Sequence, residues 1–345
     1  MYRVVSLFAG CGGAECGMLG GFIYNKHEYQ SLPFKVVYAI DIDKKAIETY
    51  NLNFQNHNTV VNDIREIHED FIPEHDVLIG GFPCQSFSTV NPTKDPFDTR
   101  ANLYKEMVRI IKAKQPKVFI AENVKGFMTL HKGSIIKKVQ KDFEDAGYDI
   151  FTSLLNAVDY GVPQRRERVF MIGVRKDLFT KFYFPEPTSK ESYIPLSVAV
   201  PELAIENKKY YFSERAVQGM KNAKNNMKRG LAQDLNLPCL TITSHLAKVS
   251  LNSRDPVLLV DVEKELYRRF TPREAARIQS FPDTFQFAGS ELDAYRQIGN
   301  AIAPVVFWHI AKNVAEMLSR YESIKHKNVN ENIQFPIYDV INQSA

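Results

Sequence analysis

The sequence predicts an α/β protein: a doubly wound, mixed but mostly parallel sheet, with a second, smaller irregular domain. Three observations predict it. Short apolar runs alternate with amphipathic helical stretches over residues 1–175, the pattern of strands linked by crossover helices. The first run, Val4–Phe8, ends in a glycine-rich turn, Ala9-Gly10-Cys11-Gly12-Gly13, that opens a helix; there glycines let a ligand approach the backbone and helix-terminal amides face it. Periodicity then fails from Phe182 to about Leu266 and returns at Thr271.

The elements follow in order. Val36–Ile40 is a second strand, ending at Asp41 and Asp43 ahead of a helix over Lys44–Asn53. Asp41 can accept ribose hydroxyls or cap that helix. Thr59–Val61, followed by Asp63, is strand three, and Asp76–Ile79 is strand four. Strand four runs into Gly80-Gly81-Phe82-Pro83-Cys84, which sets a cysteine behind a proline at a strand's carboxyl end, where open α/β sheets bind ligands. A buried core thiol is the other reading of Cys84. Asp98-Thr99 can cap a helix carrying Leu103, Met107, Ile110 and Ile111 at helical spacing. Lys117–Ala121 is strand five, ending at Glu122-Asn123-Val124, and Ser134 starts a helix that Gly147 stops. Ile150–Asn156 and Val169–Val174 are further strands, separated by Gln164-Arg165-Arg166-Glu167-Arg168. Thr271-Pro272-Arg273-Glu274 is a capping box with proline at the first helical position. A strong helix follows Pro304, and the tail after Tyr321 is polar and expected to fray.

Composition narrows the function. Hydrophobic content of 44% and charged content of 24% are those of a water-soluble chain, and no apolar run approaches the roughly 18 residues of a membrane span. The N-terminus lacks a signal peptide's apolar core, so the cytoplasm is expected. Cys11, Cys16, Cys84 and Cys239 are too scattered for a disulfide framework, and with no Cys-x-x-Cys a zinc site is not expected. Residues 181–270 hold 14 Lys/Arg against 10 Asp/Glu, which accounts for the whole net charge of +4. A basic region of this kind suits a polyanion. The dinucleotide fingerprint fails because Glu15 stands where its third glycine belongs, which disfavours a pyrophosphate cofactor and leaves other adenosine-bearing ligands open.

Six motifs, in order, resemble the DNA cytosine-5 methyltransferase family of bacterial restriction–modification systems. They are Phe8-Ala9-Gly10-x-Gly12-Gly13, Gly81-Phe82-Pro83-Cys84, Glu122-Asn123-Val124, Gln164-Arg165-Arg166-Glu167-Arg168, Arg269-x-Thr271-Pro272-Arg273-Glu274-x-Ala276-Arg277 and Gln297-Ile298-Gly299-Asn300-Ala301. The resemblance covers residues 1–175 and 268–320. It implies an S-adenosylmethionine-dependent methyltransferase sheet and the transfer of a methyl group to carbon 5 of a cytosine flipped out of duplex DNA. Cys84 would be the nucleophile that adds to carbon 6. Glu122 would contact ring nitrogen 3 and the exocyclic amine with a raised pKa; a helix-cap carboxylate is its plain structural alternative. Arg168 would hold the base carbonyl. Arg166 is expected to pair with an acid, and also counts among the residues towards DNA.

S-adenosylmethionine is the implied methyl donor. By the family pattern, Phe8 packs against its adenine, Gly10, Gly12 and Gly13 admit the amino-acid part, and Asp41 takes the ribose hydroxyls. Ile42 would cover the adenine, Asp63 with Ile64 would read its amine, Pro83 would abut the cofactor, and Asn300 and Ala301 would close the site. Asp41 stands where Glu is commoner, Ile42 where an aromatic often is, and Ser6 where Asp can occur. Double-stranded DNA is the implied partner, and a separately acting restriction endonuclease the implied companion. Ser88 and Val90 would sit near the opening left by the base; Thr241, Lys248 and Arg254 would face DNA, with His245 and Asn252 as further candidates. The implied organisation is a catalytic and cofactor-binding domain over 1–180 completed by 291–322, a target-recognition domain over 181–268, a connecting region over 269–290 and a tail over 323–345. A monomer near the nucleoid is expected. A tRNA cytosine-5 methyltransferase is the nearest alternative, but Cys84-Gln85-Ser86-Phe87-Ser88 follows the DNA-enzyme pattern, not that relative's Cys-Phe-Thr.

Overall fold

Seven apolar segments can satisfy their backbone groups only by pairing with one another, and they form one sheet. They are β1 (Tyr2–Leu7), β2 (Phe34–Asp41), β3 (Thr59–Val61), β4 (Val77–Gly80), β5 (Val118–Val124), β6 (Tyr148–Asn156) and β7 (Glu167–Arg175), in spatial order β3-β2-β1-β4-β5-β7-β6. β7 is antiparallel to both of its neighbours, and the pairs from β3 to β5 are parallel. This computed structural model describes residues 1–83, 103–190, 192–221, 232–248 and 256–330. Cys84, Ser88, Val90, Asn252, Arg254 and the Asp98-Thr99 cap named above lie outside the described residues.

Strand alternation sorts the core into two layers. Val4, Val36, Ile79, Ile120 and Phe170 face one way, towards α1 (Gly13–Leu19) and α8 (Pro304–Asn330). Val5, Tyr38, Leu78, Phe119 and Val169 face the other, towards α3 (Leu103–Lys114) and α4 (Ser134–Glu144). The C-terminal helix therefore packs with α1 on the same face of the sheet. Its approach depends on Gly17, where a Cβ would stand 2.3 Å from the Pro304 carbonyl oxygen. α8 also continues to Asn330, past the expected fraying point at Tyr321.

Among the described residues, the region 181–268 makes short ladders: Cys239–Leu240 runs parallel to Gln164–Arg165, and Leu258–Asp261 antiparallel to Leu266–Arg268. Val217 on α5 (Glu214–Lys221), Val257 and Tyr267 form a small cluster of their own, whereas Leu196, Val200, Cys239, Ile242 and Leu246 join the main core. The buried Arg268 guanidinium fastens the segment. It donates to both Glu274 carboxylate oxygens at 2.7 and 2.8 Å and to the Glu202 and Leu203 carbonyls. Glu274 also closes the predicted capping box with Thr271 at the start of α6 (Pro272–Ile278). No described helix is long and apolar enough to cross a membrane.

Candidate active site

Strand register lines up the site. Leu7 pairs with Ile40 on one side and Gly80 on the other, and Gly80 pairs with Ala121. The next residue on each strand is Phe8, Asp41, Gly81 or Glu122, so these four form a row at the carboxyl edge. β1 lies where the strand order reverses, the place where open α/β sheets bind ligands. The row opens on a cavity of about 570 Å³ that Phe8, Gly10, Asp41, Pro83, Glu122 and Arg168 all line.

Glu122 and Arg168 meet because β7 is antiparallel. Arg168 pairs with Val124 and Phe170 with Glu122, so Arg168 is the diagonal neighbour of Glu122 on the same face, within reach of long side chains. Arg168 Nε lies 3.0 Å from Glu122 Oε1, with both side chains largely buried. Burial raises the Glu122 pKa, against the opposing pull of Arg168 and Arg166. The sequence placed Glu122 beyond the end of strand five, but the ladder to β7 carries the strand through Val124. A Cβ on Gly81 would stand 3.3 Å from Glu122 Oε2, so the turn before Pro83 passes close to the carboxylate. The Gly81–Pro83 backbone is held by Asn123, whose side-chain amide donates to the Phe82 carbonyl at 3.0 Å. Sequence reasoning gave Asn123 no role; its place in the Glu-Asn-Val motif was the available signal.

At the other end, Phe8 and Gly10 both have φ of +56°, and no atom lies within 4 Å of where a Gly10 Cβ would stand. Phe8 is a bulky residue in the left-handed region, the kind of local strain found at binding sites. Asp41 ties this turn down, accepting from the Gly10 amide and the Asp43 amide at 2.8 Å each. The α2 (Lys44–Asn53) cap is Asp43, which accepts from the amides of Lys45 and Ala46. The alternative of Asp41 as helix cap is therefore excluded. Burial raises the Asp41 pKa, and the two amide bonds oppose it.

The remaining cofactor candidates gather around the same cavity. Ile42 stands at its lip with 69% exposure, the Asp63 and Ile64 turn borders it, and Asn300 and Ala301 close it from the end of α7 (Glu291–Asn300). Gly12 and Gly13 permit this convergence: Gly12 has φ +95°, and a Cβ on Gly13 would stand 2.6 Å from the Ile302 carbonyl oxygen. The Asp63 carboxylate is bound by the Arg65 guanidinium, which lowers its pKa. Arg296, which the sequence reading passed over, also lines the cavity and lies 3.0 Å from Asp43. Its only sequence signal was its position just before the Gln-Ile-Gly-Asn motif.

Two expectations about the arginine-rich motif need correction. Arg166 is 3% exposed, forms no ion pair with an acid among the described residues, and presents no guanidinium to a DNA surface. It donates instead to the carbonyls of Ile242, Gly299 and Ala301 at 3.1, 2.9 and 2.9 Å. Strand alternation explains this, because Arg165 points outward and Arg166 inward. Thr241 is half-buried, and its hydroxyl donates to the Arg165 carbonyl at 2.6 Å. Gln164, also without an assigned role above, is fully buried and joins the Ile242 amide to Gln279 and the Ile278 carbonyl. Lys248 ends a short turn, Leu246–Lys248, and His245 is exposed. No metal-binding cluster occurs among the described residues.

Comparison with known proteins bears on this geometry. The profile of the family described as C-5 cytosine-specific DNA methylase matches residues 2–316. The chain is similar to type II methyltransferase M.FnuDI of Fusobacterium nucleatum, 34% identical over 94% of this chain and 97% of the relative. It is 32% identical to M.NgoPII of Neisseria gonorrhoeae, over 92% and 96%. Among solved structures, a putative DNA modification methyltransferase encoded within a prophage (E. coli) superposes with a TM-score of 0.70 at 25% identity, covering 92% of this chain and all of that one. S. pombe Dnmt2 shares the fold, with a TM-score of 0.71 at 21% identity over 93% and 99%.

Proposed function

The chain belongs to the C-5 cytosine-specific DNA methylase family and is a DNA cytosine-5 methyltransferase, and we propose that Cys84 is its nucleophile and S-adenosylmethionine its methyl donor. The observation that carries this reading is the single cavity joining the Gly10–Asp41 turn to the Glu122–Arg168 pair. The residues present fit the donor: open space beside Gly10, a carboxylate at the end of β2, and an apolar lip at Ile42. Asp41 would accept from the ribose hydroxyls with its remaining lone pairs, Phe8 and Ile42 would enclose the adenine, and Asn300 and Ala301 would close over the amino-acid part. Asp63, already held by Arg65, would border the adenine amine with Ile64. When bound, S-adenosylmethionine supplies a methyl group on a positively charged sulfur.

The chemistry of the base falls to this chain's own side chains. Cytosine carbon 5 is a weak nucleophile. The Cys84 thiolate forms the sulfur–carbon 6 bond, and the displaced ring electrons make carbon 5 nucleophilic enough to take the methyl group. Glu122, its pKa raised by burial, donates its proton to ring nitrogen 3 and accepts from the exocyclic amine with its other oxygen. Arg168 holds the carbonyl oxygen and keeps Glu122 oriented. After methylation, loss of the carbon 5 proton restores the double bond and releases the Cys84 thiolate. Asn123 fixes the turn that carries Pro83, and Pro83 restrains the backbone before the thiol.

We assign recognition of the target duplex to residues 181–268, whose basic side chains would make salt-dependent phosphate contacts. Type II methyltransferases among the relatives support a role beside a separately acting restriction endonuclease. Bisulfite sequencing of DNA from cells expressing the protein tests the reading. Methylcytosine at one recurring DNA sequence is expected. Unmodified DNA together with new methylcytosine in tRNA would favour the tRNA reading instead.

A further inference from the structure

The proposed base chemistry leaves unused a buried acid behind the cofactor turn. Glu15 lies in the first turn of α1 and is fully buried, and its carboxylate makes no well-formed hydrogen bond, with the Ser6 hydroxyl and its own amide beside it. The groups facing it are Ser6 and Asp41 from β1 and β2, Tyr50 from α2, and Cys11 and Cys16 from its own turn and helix. None is a cation. An isolated buried carboxylate is costly, and here burial and the nearby Asp41 raise its pKa from 4.5 to about 7, with Ser6 and its own amide opposing. Ser6, which faces it, and Ala14, the residue before it, line the cavity. Ser6 is also the position where the sequence reading allowed an aspartate.

We propose that Glu15 is a cofactor-positioning residue: its carboxylate, set behind Ser6, supplies the negative charge that attracts the cationic part of the methyl donor. The inference rests on the reading of the cavity as an S-adenosylmethionine site. The cation could be the sulfonium or the α-ammonium group. The two are separable, because the product S-adenosylhomocysteine keeps the ammonium and lacks the sulfonium. Binding of a cation favours the ionised form, so affinity for the donor rises with pH until Glu15 is ionised in the free protein and then levels off. On that reading Asp41 would contact the ribose of both ligands, so its titration would affect both alike.

Calorimetric titration of the whole chain with each ligand, at pH 6 and pH 8, tests this. Glu15→Gln is expected to weaken S-adenosylmethionine binding about tenfold at pH 8 and less at pH 6, as for loss of one nearby charge interaction. Ser6→Asp combined with Glu15→Gln, which moves the carboxylate forward, is expected to recover affinity. A loss shared by both ligands identifies the ammonium, and a loss confined to the donor identifies the sulfonium. A folded Glu15→Gln protein that binds both ligands as tightly as wild type at pH 8 overturns the inference. So does an equal loss at both pH values, which marks a packing role. Wild type that binds neither ligand instead overturns the functional reading on which the inference rests.

Discussion

Replacing Arg166 by methionine tests whether the arginine-rich motif holds the site together. Its guanidinium bridges three carbonyls: Ile242 in the 181–268 region, Gly299 at the end of α7 and Ala301 beside the cavity. The Ala301 carbonyl keeps a second donor, the Gln279 side chain at 2.5 Å, so two acceptors are left without a partner. Each orphaned buried acceptor costs about 1–3 kcal/mol, which puts the loss for the two at about 2–6 kcal/mol. Methionine fills similar space, and removing a buried charge offsets part of the penalty, which favours the lower half of that range. Stability comes from urea denaturation, with a folded baseline required at 0 M. Donor affinity should fall as well, because Asn300 and Ala301 lose their anchor. Arg166→Lys should be intermediate, since an ammonium cannot fork between Ile242 and Gly299. A loss below about 1 kcal/mol with unchanged donor affinity would refute the reasoning.

Three further outcomes follow from the same contacts. Glu122→Gln keeps the shape of the Arg168 partner but holds no transferable proton, so single-turnover methyl transfer should fall by about 10²–10⁴-fold while donor binding stays unchanged. Arg268→Ala leaves Glu274 charged and buried without its guanidinium, and should destabilise the protein by about 3–5 kcal/mol in urea titrations; Glu274→Gln should cost less. The folded pKa of Glu15, about 7, lies above its ordinary 4.5. Its ionisation therefore costs no stability below about pH 4.5, and the destabilisation grows to about 3 kcal/mol above about pH 7. Stability of Glu15→Gln relative to wild type should accordingly rise across that window, as read by denaturation at pH 5 and pH 8.

Much of this was legible from local pattern. The Val4–Gly13 stretch predicts a strand, turn and helix because glycine spacing and apolar runs act within a few residues, and the Thr271 capping box is equally local. Asp41 and Asp43 could not be told apart by sequence, since both precede the same helix; only the backbone places Asp43 at the cap and turns Asp41 back to Gly10. The length of strand five depended on a partner far along the chain, because β7 extends its ladder through Val124. The direction of β7, which makes Glu122 and Arg168 diagonal neighbours, is also a long-range property. Arg166 was misread for a related reason. An arginine in a basic motif suggests an acid or a phosphate, but strand alternation turns it inward to three carbonyls that lie more than 70 residues away. Gln164 and Asn123 escaped notice because uncharged amides carry no compositional signal.

The central claim is that Cys84 attacks carbon 6 of a cytosine in duplex DNA. The most direct measurement uses a duplex carrying 5-fluorocytosine at the methylated position, located first by bisulfite sequencing. Fluorine at carbon 5 blocks the final elimination, so with S-adenosylmethionine present the protein should become covalently attached, and peptide mass analysis should place the DNA on Cys84. Cys84→Ser should form no adduct while still binding the donor. An adduct on another residue, an undiminished adduct in Cys84→Ser, or rapid methylation of the natural site with no adduct on the fluorinated one would contradict the account.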